Sequence, residues 1–259
     1  MEELKNEKQF DKLVQIVSIL RSPKGCPWDQ IQTNKSLREH LLEECYEVLQ
    51  ALDAGNNQDL SEELGDLLLQ IIMHAQIAYE SGEFGIDDVI EKINNKLVSR
   101  HPHVFGSDVV TNAEDVLVRW EELKKKEQSG REGALAGVPK TLPALAYSDS
   151  VQDRAARLGF DWPNSDGVLE KLAEEIQELK MATTTSEKAM EFGDVLFTLV
   201  NYARRHQIDP ESALREANAK FFKRFSFMEE LCRQRGLTFS EMSLEEQNEL
   251  WEASKVLNN

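Results

Sequence analysis

The stretch HLLEECYEVLQ, residues 40–50, sets the pattern from which the rest of the chain can be understood. Its apolar residues recur at the spacing of an amphipathic helix. Glu44 and Glu47 nevertheless occupy positions where the apolar stripe of that helix should continue. Residues three apart lie on the same face of a helix, so the two carboxylates point in one direction. This stretch therefore predicts a helix that directs two acids towards its own core.

The acidic pair is one of four in the chain. A second pair, Glu63 and Asp66, stands in ELGD, and both pairs return in the second half as EEIQE and EFGD. Glu175 follows Glu44 by 131 residues, and Glu191 follows Glu63 by 128 residues. Ordered matches whose separation shrinks along the chain indicate an internal duplication with shorter loops in the second copy. The eight acids are Glu44, Glu47, Glu63, Asp66, Glu175, Glu178, Glu191 and Asp194.

A basic element is duplicated as well. Lys96 and Arg100 are four residues apart, and Lys220 and Arg224 repeat the pair 124 residues later, each pair preceded by an asparagine. Cations that face a bound metal form a clamp for phosphate groups. The second copy adds further charge and a surface on which a base would stack. The residues of the two copies are Asn94, Lys96, Arg100, Asn218, Lys220, Phe221, Lys223, Arg224, Phe225 and Trp251.

Helical periodicity dominates both halves, and no segment alternates as a strand would. We therefore expect an all-α fold with two tandem helical-bundle domains, residues 1–126 and 146–259. The stretch between them, residues 127–145, concentrates glycine and proline and is the predicted linker. Ser36 with Glu39, and Asp59 with Glu62, have the spacing of capping boxes at helix starts. Asp209 before Pro210 predicts another helix start.

Charge and composition limit the classes of partner. The net charge is −17, so phosphate backbones and anionic membrane surfaces would be repelled, and neither a nucleic-acid polymer nor a membrane is an expected partner. No apolar run approaches the ~20 residues of a membrane span. Three cysteines at irregular spacing fit reduced thiols. The charged first ten residues do not have the pattern of a signal peptide, so we expect a cytoplasmic protein.

Four carboxylates on two antiparallel helices need a cation. Unpaired, they repel and raise one another's pKa values. Oxygen-only ligands suit Mg²⁺, with Mn²⁺ as a possible substitute, and Mg²⁺ commonly shares its shell with substrate phosphates. Gly65 and Gly193 lie beside the acids in the middle of predicted helices, where glycine costs about 1 kcal/mol relative to alanine. We expect them to allow close approach of a metal or of the partner helix.

The duplicated motif resembles the MazG family of nucleoside triphosphate pyrophosphohydrolases. The flanking segments GCPWDQIQT, RHPHVFG and ANAKFFKRF are similar to those of two-domain bacterial members, and the likeness covers nearly the whole chain. The resemblance implies tandem all-α domains, a homodimer, and Mg²⁺-dependent hydrolysis of a nucleoside or deoxynucleoside triphosphate to the monophosphate and diphosphate. It implies that the eight acids hold the metal and form the catalytic site. Lys220 and Arg224 would bind phosphate, and Lys171 and Lys188 are lesser candidates.

Three other interpretations remain open. A ferritin-type di-iron bundle would need Glu-x-x-His on two helices, and this chain contains no such motif. A helical dimer that binds or senses nucleotides without turnover would show Mg²⁺-dependent binding alone. A mixed protein would have one catalytic half and one regulatory half. The second half, with its richer basic and aromatic tail, is favoured as the better catalyst.

A few other residues invite a functional interpretation. His101 and His103 have the composition of metal ligands, but the proline between them favours a structural turn. Cys45 lies between the acids and is expected to pack rather than act as a nucleophile. Trp28 and Trp162 precede the first acidic helix of each half and are expected to anchor the cores.

Overall fold

The computed structural model describes residues 8–107, 112, 116, 133 and 135–255. The chain divides into two compact units, Met1–Glu127 and Gln128–Asn259, here called unit 1 and unit 2. All secondary structure in the described residues is helical, which confirms the all-α prediction. None of these helices is long and apolar enough to cross a bilayer.

Unit 1 has two long helices and several shorter ones. Its helices are α1 Gln9–Arg21, α2 Pro27–Gln30, α3 Arg38–Ala54, α4 Asn57–Glu80, α5 Ile86–Arg100 and α6 Pro102–Phe105. The most extensive helix contact of the unit joins α3 to α4. Only two residues connect them, so the pair is an αα-hairpin with antiparallel neighbours.

Unit 2 repeats this hairpin. Its helices are α7 Ala144–Ala156, α8 Ser165–Met181, α9 Thr185–Arg205, α10 Pro210–Arg235 and α11 Leu244–Ser254, with a 3₁₀ turn at Phe239–Glu241. The most extensive contact joins α8 to α9. Helix α7 begins at Ala144 and so includes the last two residues of the predicted linker, of which residues 127–132 and 134 lie outside the described part.

The helix ends confirm some of the predicted caps and contradict others. Gly55 ends α3 with φ 64°, in the left-handed region that suits glycine. Asp209 caps α10, as predicted. The two predicted capping boxes are wrong, because α3 begins after Leu37 and α4 after Asn56. The Asn56 side chain accepts hydrogen bonds from the backbone N–H groups of Gln58 and Asp59, so Asn56 rather than Asp59 caps α4.

The two units have different cores. In unit 1, α1 packs against α4 through a cluster that includes Val17, Leu37, Ile72 and Met73. In unit 2, the core cluster of Met228, Cys232 and Leu250 lies where α10 packs against α11. The buried cluster of unit 1 therefore includes residues of the acidic helix α4, whereas that of unit 2 lies on helices outside its acidic hairpin.

Arg21 joins three segments of unit 1. Its side chain is only 5% exposed and makes a two-point ion pair with Glu80 at the end of α4. It also donates to the carbonyl oxygens of Asp29, within α2, and Gln32, which follows α2. Hydrogen bonding from Arg21 lowers the pKa of Glu80. One cation thus fixes the loop that leads into the first acidic helix.

We expect Arg21→Ala to lower the free energy of unfolding by about 2 kcal/mol, because buried charge-assisted hydrogen bonds are lost. The pKa of Glu80 is lowered in the folded state, so the pair stabilises above the ordinary carboxyl pKa and is lost as pH falls through the lowered one. The difference in free energy of unfolding between the variant and the wild type should therefore become smaller at acidic pH. Urea denaturation measures both effects, and the exposed Arg38→Ala is the control. A pH-independent gap, or an equal loss in the control, contradicts this role.

Candidate metal centres and adjoining cavity

Acids of unit 1 converge between α3 and α4. Glu44 from α3 and Glu63 and Asp66 from α4 place one carboxylate oxygen each within 4.8 Å of the others. Glu47 completes the set, because its side chain hydrogen-bonds to Glu44 and its charge acts on Glu63. The structure therefore brings together the four acids that the sequence pattern singled out in the first half.

Unit 2 brings its own acids together in the same way. Glu175 and Glu178 from α8 and Glu191 from α9 place oxygens within 4.8 Å of one another. Asp194, one turn further along α9, acts on the charge of Glu191 but is outside this trio. Glu175 is buried, Glu178 and Glu191 are half-buried, and Asp194 is exposed. Each unit thus presents carboxylate oxygens from both helices of its hairpin to one small volume.

Crowding makes these carboxylates harder to ionise. Burial, followed by Glu47 and Asp66, raises the pKa of Glu44. Burial, followed by the same two neighbours, raises the pKa of Glu63. In unit 2, burial, followed by Glu178 and Asp194, raises the pKa of Glu191. Mutual repulsion of this kind is relieved by a bound cation, and the donor set contains only oxygen, which is the preference of Mg²⁺ and Mn²⁺.

The two clusters differ in one neighbouring cation. Lys171 lies 2.7 Å from oxygens of both Glu174 and Glu175, and hydrogen bonding to these two acids raises its pKa. The residue 131 positions earlier, at the same place on α3, is His40. Its Nδ1 is 3.5 Å from an oxygen of Glu43. Unit 2 therefore has a permanent charge against its most buried acid where unit 1 has an imidazole.

The mid-helix glycines do not serve close helix packing. A Cβ built on Gly65 or on Gly193 would have no atom within 4 Å among its described surroundings. The expectation that these glycines admit the partner helix of the hairpin is therefore wrong. The open space beside each remains consistent with approach of a ligand, because each glycine is adjacent to an acid of the cluster.

The predicted phosphate-binding residues lie mainly on exposed faces. The Arg224 guanidinium is half-buried over the Trp251 ring, 5.3 Å from its centroid, and Phe221 also contacts that ring. α10 and α11 therefore share a cation–aromatic cluster. The remaining basic and amide candidates are exposed, except Arg100 at the end of α5 and Lys171 on α8, which are half-buried. These exposed residues are Asn94, Lys96, Lys188, Asn218, Lys220 and Lys223.

A cavity of about 690 Å³ opens beside the acids of unit 2. Helices α7, α8 and α9 and the loop between α7 and α8 form its walls. Its polar lining includes Lys171, Glu175 and Asp194, and the rest of the wall is mostly apolar or amide. This remainder consists of Leu135, Val151, Gln152, Ala155, Gly159, Phe160, Asp161, Trp162, Phe197, Thr198 and Asn201. We call it the unit 2 cavity.

The two tryptophans that precede the acidic helices are not buried in the cores. The prediction that they anchor the cores is therefore wrong. Trp28 is 51% exposed and Trp162 is 41% exposed. Trp162 lines the unit 2 cavity and packs so closely on α8 that a Cβ on Gly167 would lie 2.8 Å from its ring. Its loop is held in place by Asp161, which pairs with Arg204 and Arg205 of α9. One feature of the sequence pointed to a place near the acids: each tryptophan precedes the first acidic helix of its half.

Other residues considered from the sequence stand apart from the clusters. His101 Nδ1 lies 2.6 Å from the Leu97 carbonyl oxygen at the junction of α5 and α6, as a structural turn requires. Neither His101 nor His103 belongs to a candidate metal group in the described part of the chain. Cys45 is half-buried and is likewise not a member of either group.

Comparison with known proteins agrees with the geometry. The family model of the MazG nucleotide pyrophosphohydrolase domain matches residues 32–105, which include the acidic hairpin of unit 1. The nucleoside triphosphate pyrophosphohydrolase/pyrophosphatase MazG of Thermotoga maritima is 46% identical over 95% of this chain and 95% of its own length. The nucleoside triphosphate pyrophosphohydrolase of Escherichia coli K12 is 41% identical over 95% of this chain and 97% of its own.

A longer relative also aligns. The uncharacterized protein YabN of Bacillus subtilis is 44% identical over 97% of this chain, which spans 53% of that protein. These comparisons and the two acidic hairpins show that the chain belongs to the MazG family.

We expect Glu44→Gln to raise the thermal midpoint of the metal-free protein and to reduce the further rise on adding Mg²⁺ or Mn²⁺. The pKa of Glu44 is raised in the folded state, so its ionisation destabilises the fold above that pKa. Protonation of Glu44 removes this destabilisation as pH falls. The difference in thermal midpoint between the variant and the wild type should therefore become smaller at low pH.

Thermal scans with chelator or with millimolar metal provide the measurement, since a metal that binds only the folded state stabilises it. The matched control is Glu43→Gln, which changes the adjacent exposed acid of α3. If metal does not stabilise the wild type, or if both variants respond alike, the acids of unit 1 do not form a metal site.

Proposed function

We propose that this chain is a Mg²⁺-dependent hydrolase that converts nucleoside and deoxynucleoside triphosphates to the monophosphate and diphosphate. The observation that supports this most strongly is the pair of carboxylate clusters, each with oxygens from two helices within 4.8 Å. Relatives that align over nearly their whole length carry the name nucleoside triphosphate pyrophosphohydrolase. The net charge of −17 supports a small nucleotide rather than a nucleic-acid polymer as substrate.

The residues of each cluster fit a hard divalent cation. Their donors are carboxylate oxygens alone, and the crowding that raises the pKa values of Glu44, Glu63 and Glu191 is what a cation would relieve. We propose that Glu175, Glu178, Glu191 and Asp194 hold Mg²⁺ in unit 2. Glu44, Glu47, Glu63 and Asp66 hold it in unit 1, and Mn²⁺ can substitute. When bound, the metal neutralises triphosphate oxygens and makes the α-phosphorus more electrophilic.

The side chains of the site have separable tasks. Glu175, buried and paired with Lys171, is the most firmly positioned ligand. Asp194, outside the trio and on the wall of the cavity, either completes the ligand set or accepts the proton of the attacking water. Lys171, when substrate displaces it from Glu175, supplies a charge for a phosphate oxygen.

The remaining basic residues are proposed to bind the polyphosphate chain. In unit 2 these are Asn218, Lys220, Lys223 and Arg224 on α10 and Lys188 on α9, with Trp251 beside Arg224. In unit 1 the set is Asn94, Lys96 and Arg100 on α5. Cations opposite a metal stabilise the charge that develops on the leaving diphosphate.

A homodimer is proposed as the working assembly. Large apolar side chains are exposed on the acid-bearing helices, among them Leu64 on α4 and Met190, Phe192 and Leu199 on α9. Large exposed apolar patches commonly mark protein–protein interfaces, and these side chains are the candidates for one. Sedimentation equilibrium would measure the assembly directly.

A division of labour between the units is the second candidate. Lys171 stands against the acids of unit 2, whereas the same place in unit 1 holds His40. The described cavity also lies beside the acids of unit 2. Both observations favour unit 2 as the better catalyst and leave unit 1 a regulatory or weaker catalytic role.

We expect monophosphate and diphosphate as products, formed only with Mg²⁺ or Mn²⁺, when a panel of ribo- and deoxyribonucleoside triphosphates is separated by ion-exchange chromatography. Glu175→Gln combined with Glu178→Gln should lower kcat/KM at least about 100-fold, since electrostatic stabilisation of the transition state is lost.

The control for these variants is Glu170→Gln, an exposed acid on the same helix. Nucleoside diphosphate and orthophosphate as products would contradict the proposed reaction. Metal-dependent binding without any product would identify a nucleotide-binding protein instead. Activity that survives the double variant but is lost with Glu44→Gln would assign catalysis to unit 1.

A further inference from the structure

The unit 2 cavity leads away from the acids along one helix. Asp194, Phe197, Thr198 and Asn201 of α9 all line it, at the spacing of one helix face. Seven residues separate the first of these from the last, which corresponds to about 10 Å along the helix axis. The cavity therefore begins at the candidate metal site and continues for about two helical turns beyond it.

Gln152 lies on the wall of this cavity, and the oxygen of its side-chain amide is an unsatisfied acceptor buried behind that wall. Its side chain is on the cavity wall and is more than nine-tenths buried, at 6% exposure. Its Nε2 donates to the Phe197 carbonyl oxygen at 2.8 Å. A carbonyl oxygen can only accept a hydrogen bond, so the atom of the Gln152 amide that faces it is the nitrogen and not the oxygen. The Oε1 atom is buried and has no hydrogen-bond partner in the described part of the chain.

A buried acceptor without a partner is unusual. Most buried polar side-chain atoms in proteins are hydrogen-bonded to protein or water. Because Nε2 is committed to the Phe197 carbonyl, Gln152 can offer a ligand only an acceptor. The cavity around it is lined by Trp162 and Phe160, and their rings suit a flat heterocycle. Its volume of about 690 Å³ falls in the range of about 300–1,000 Å³ typical of small-molecule sites.

Unit 1 has apolar residues in the corresponding places. The residue 128 positions before Asn201 is Met73, which is 3% exposed in the core of unit 1. The one buried residue of α1 is Val17, in the same core, whereas the one buried residue of α7 is Gln152. At these two places unit 2 has amides where unit 1 has packed apolar side chains, and the buried amide of unit 1, Gln70, instead hydrogen-bonds to Glu44 of the acidic cluster.

We propose that the unit 2 cavity binds the nucleoside part of the substrate and that Gln152 Oε1 accepts a hydrogen bond from one of its N–H or O–H groups. This proposal rests on the function proposed above, and it makes Gln152 a specificity-determining residue. The triphosphate extends from the cavity to the acids, so recognition of base and sugar takes place along α9. Selection among nucleotides is then a property of unit 2.

The first test is Gln152→Met, which keeps the length of the side chain and removes the acceptor. KM for the preferred triphosphate should rise about tenfold with kcat nearly unchanged, as expected when ground-state binding is lost. Inhibition by inorganic triphosphate, which has no nucleoside, should not change. The matched control is Gln30→Met, because Gln30 Nε2 also donates to a backbone carbonyl oxygen at 2.8 Å, that of Ser22, away from the cavity. An unchanged KM, or an equal loss of triphosphate inhibition, overturns the proposal.

Matched substrates identify which donor Gln152 accepts from. Purine riboside triphosphate lacks the amino group of ATP, and dATP lacks its 2′-hydroxyl. If wild-type discrimination against the first analogue disappears in Gln152→Met, the donor is on the base. If discrimination against dATP disappears, the donor is on the sugar. If the variant keeps both discriminations in full, and also keeps any discrimination against 3′-deoxyATP, Gln152 does not contact the nucleoside.

A photolabel locates the base without relying on turnover. The 8-azido derivative of a non-hydrolysable ATP, with the α,β-oxygen replaced by methylene, should label residues 155–162 or α9 in the presence of Mg²⁺. The Asn201→Met variant, which carries the unit 1 residue, should lose that label. Labelling of the Phe221–Trp251 cluster would place the base there and overturn the proposal. Labelling of the cavity in a protein that forms no monophosphate would support the nucleoside site and reject the proposed reaction.

Discussion

Repulsion between carboxylates is the constraint on which both units depend. A helix that carries Glu44 and Glu47 packs against one that carries Glu63 and Asp66, so four acids meet where a hydrophobic seam would otherwise form. In the absence of a cation, burial and the neighbouring charges raise the pKa values of Glu44 and Glu63 and weaken the fold. A protein retains such an arrangement twice only if a ligand compensates it, and divalent metal with polyphosphate is the ligand whose chemistry matches.

The two units share the acidic cluster but differ in the residues that surround it. Unit 1 packs α1 against the acidic helix α4 through a core that includes Val17 and Met73. Unit 2 keeps Lys171 against its acids and has amide side chains beside a cavity. Its loop with Trp162 is held to α9 by the pairing of Asp161 with two arginines and to α8 by the packing of the Trp162 ring against Gly167. The acidic clusters are thus shared, whereas the cavity described here lies beside the cluster of unit 2.

Much of this was predictable from the sequence, because the strongest signals are local and periodic. Residues three apart must share a helix face, and duplication made the acidic pattern stand out in a glutamate-rich chain. The family resemblance followed from the same residues. Helix starts were less predictable, because the spacing of Asp59 and Glu62 favoured a start at Asp59, whereas Asn56 caps α4. The role of Gln152 was not predictable, because it depends on the Phe197 carbonyl, 45 residues away. Exposure of the tryptophans likewise depends on how loops fold back on the hairpins.

The most direct test of the central claim is the amount of Mn²⁺ bound per chain, measured by electron paramagnetic resonance during a titration. We predict that the wild type binds Mn²⁺ at both units. Glu44→Gln with Glu63→Gln should remove one class of sites, and Glu175→Gln with Glu191→Gln should remove the other. If folded protein with all four substitutions binds as much Mn²⁺ as the wild type, the paired acids do not hold the metal and the account is wrong.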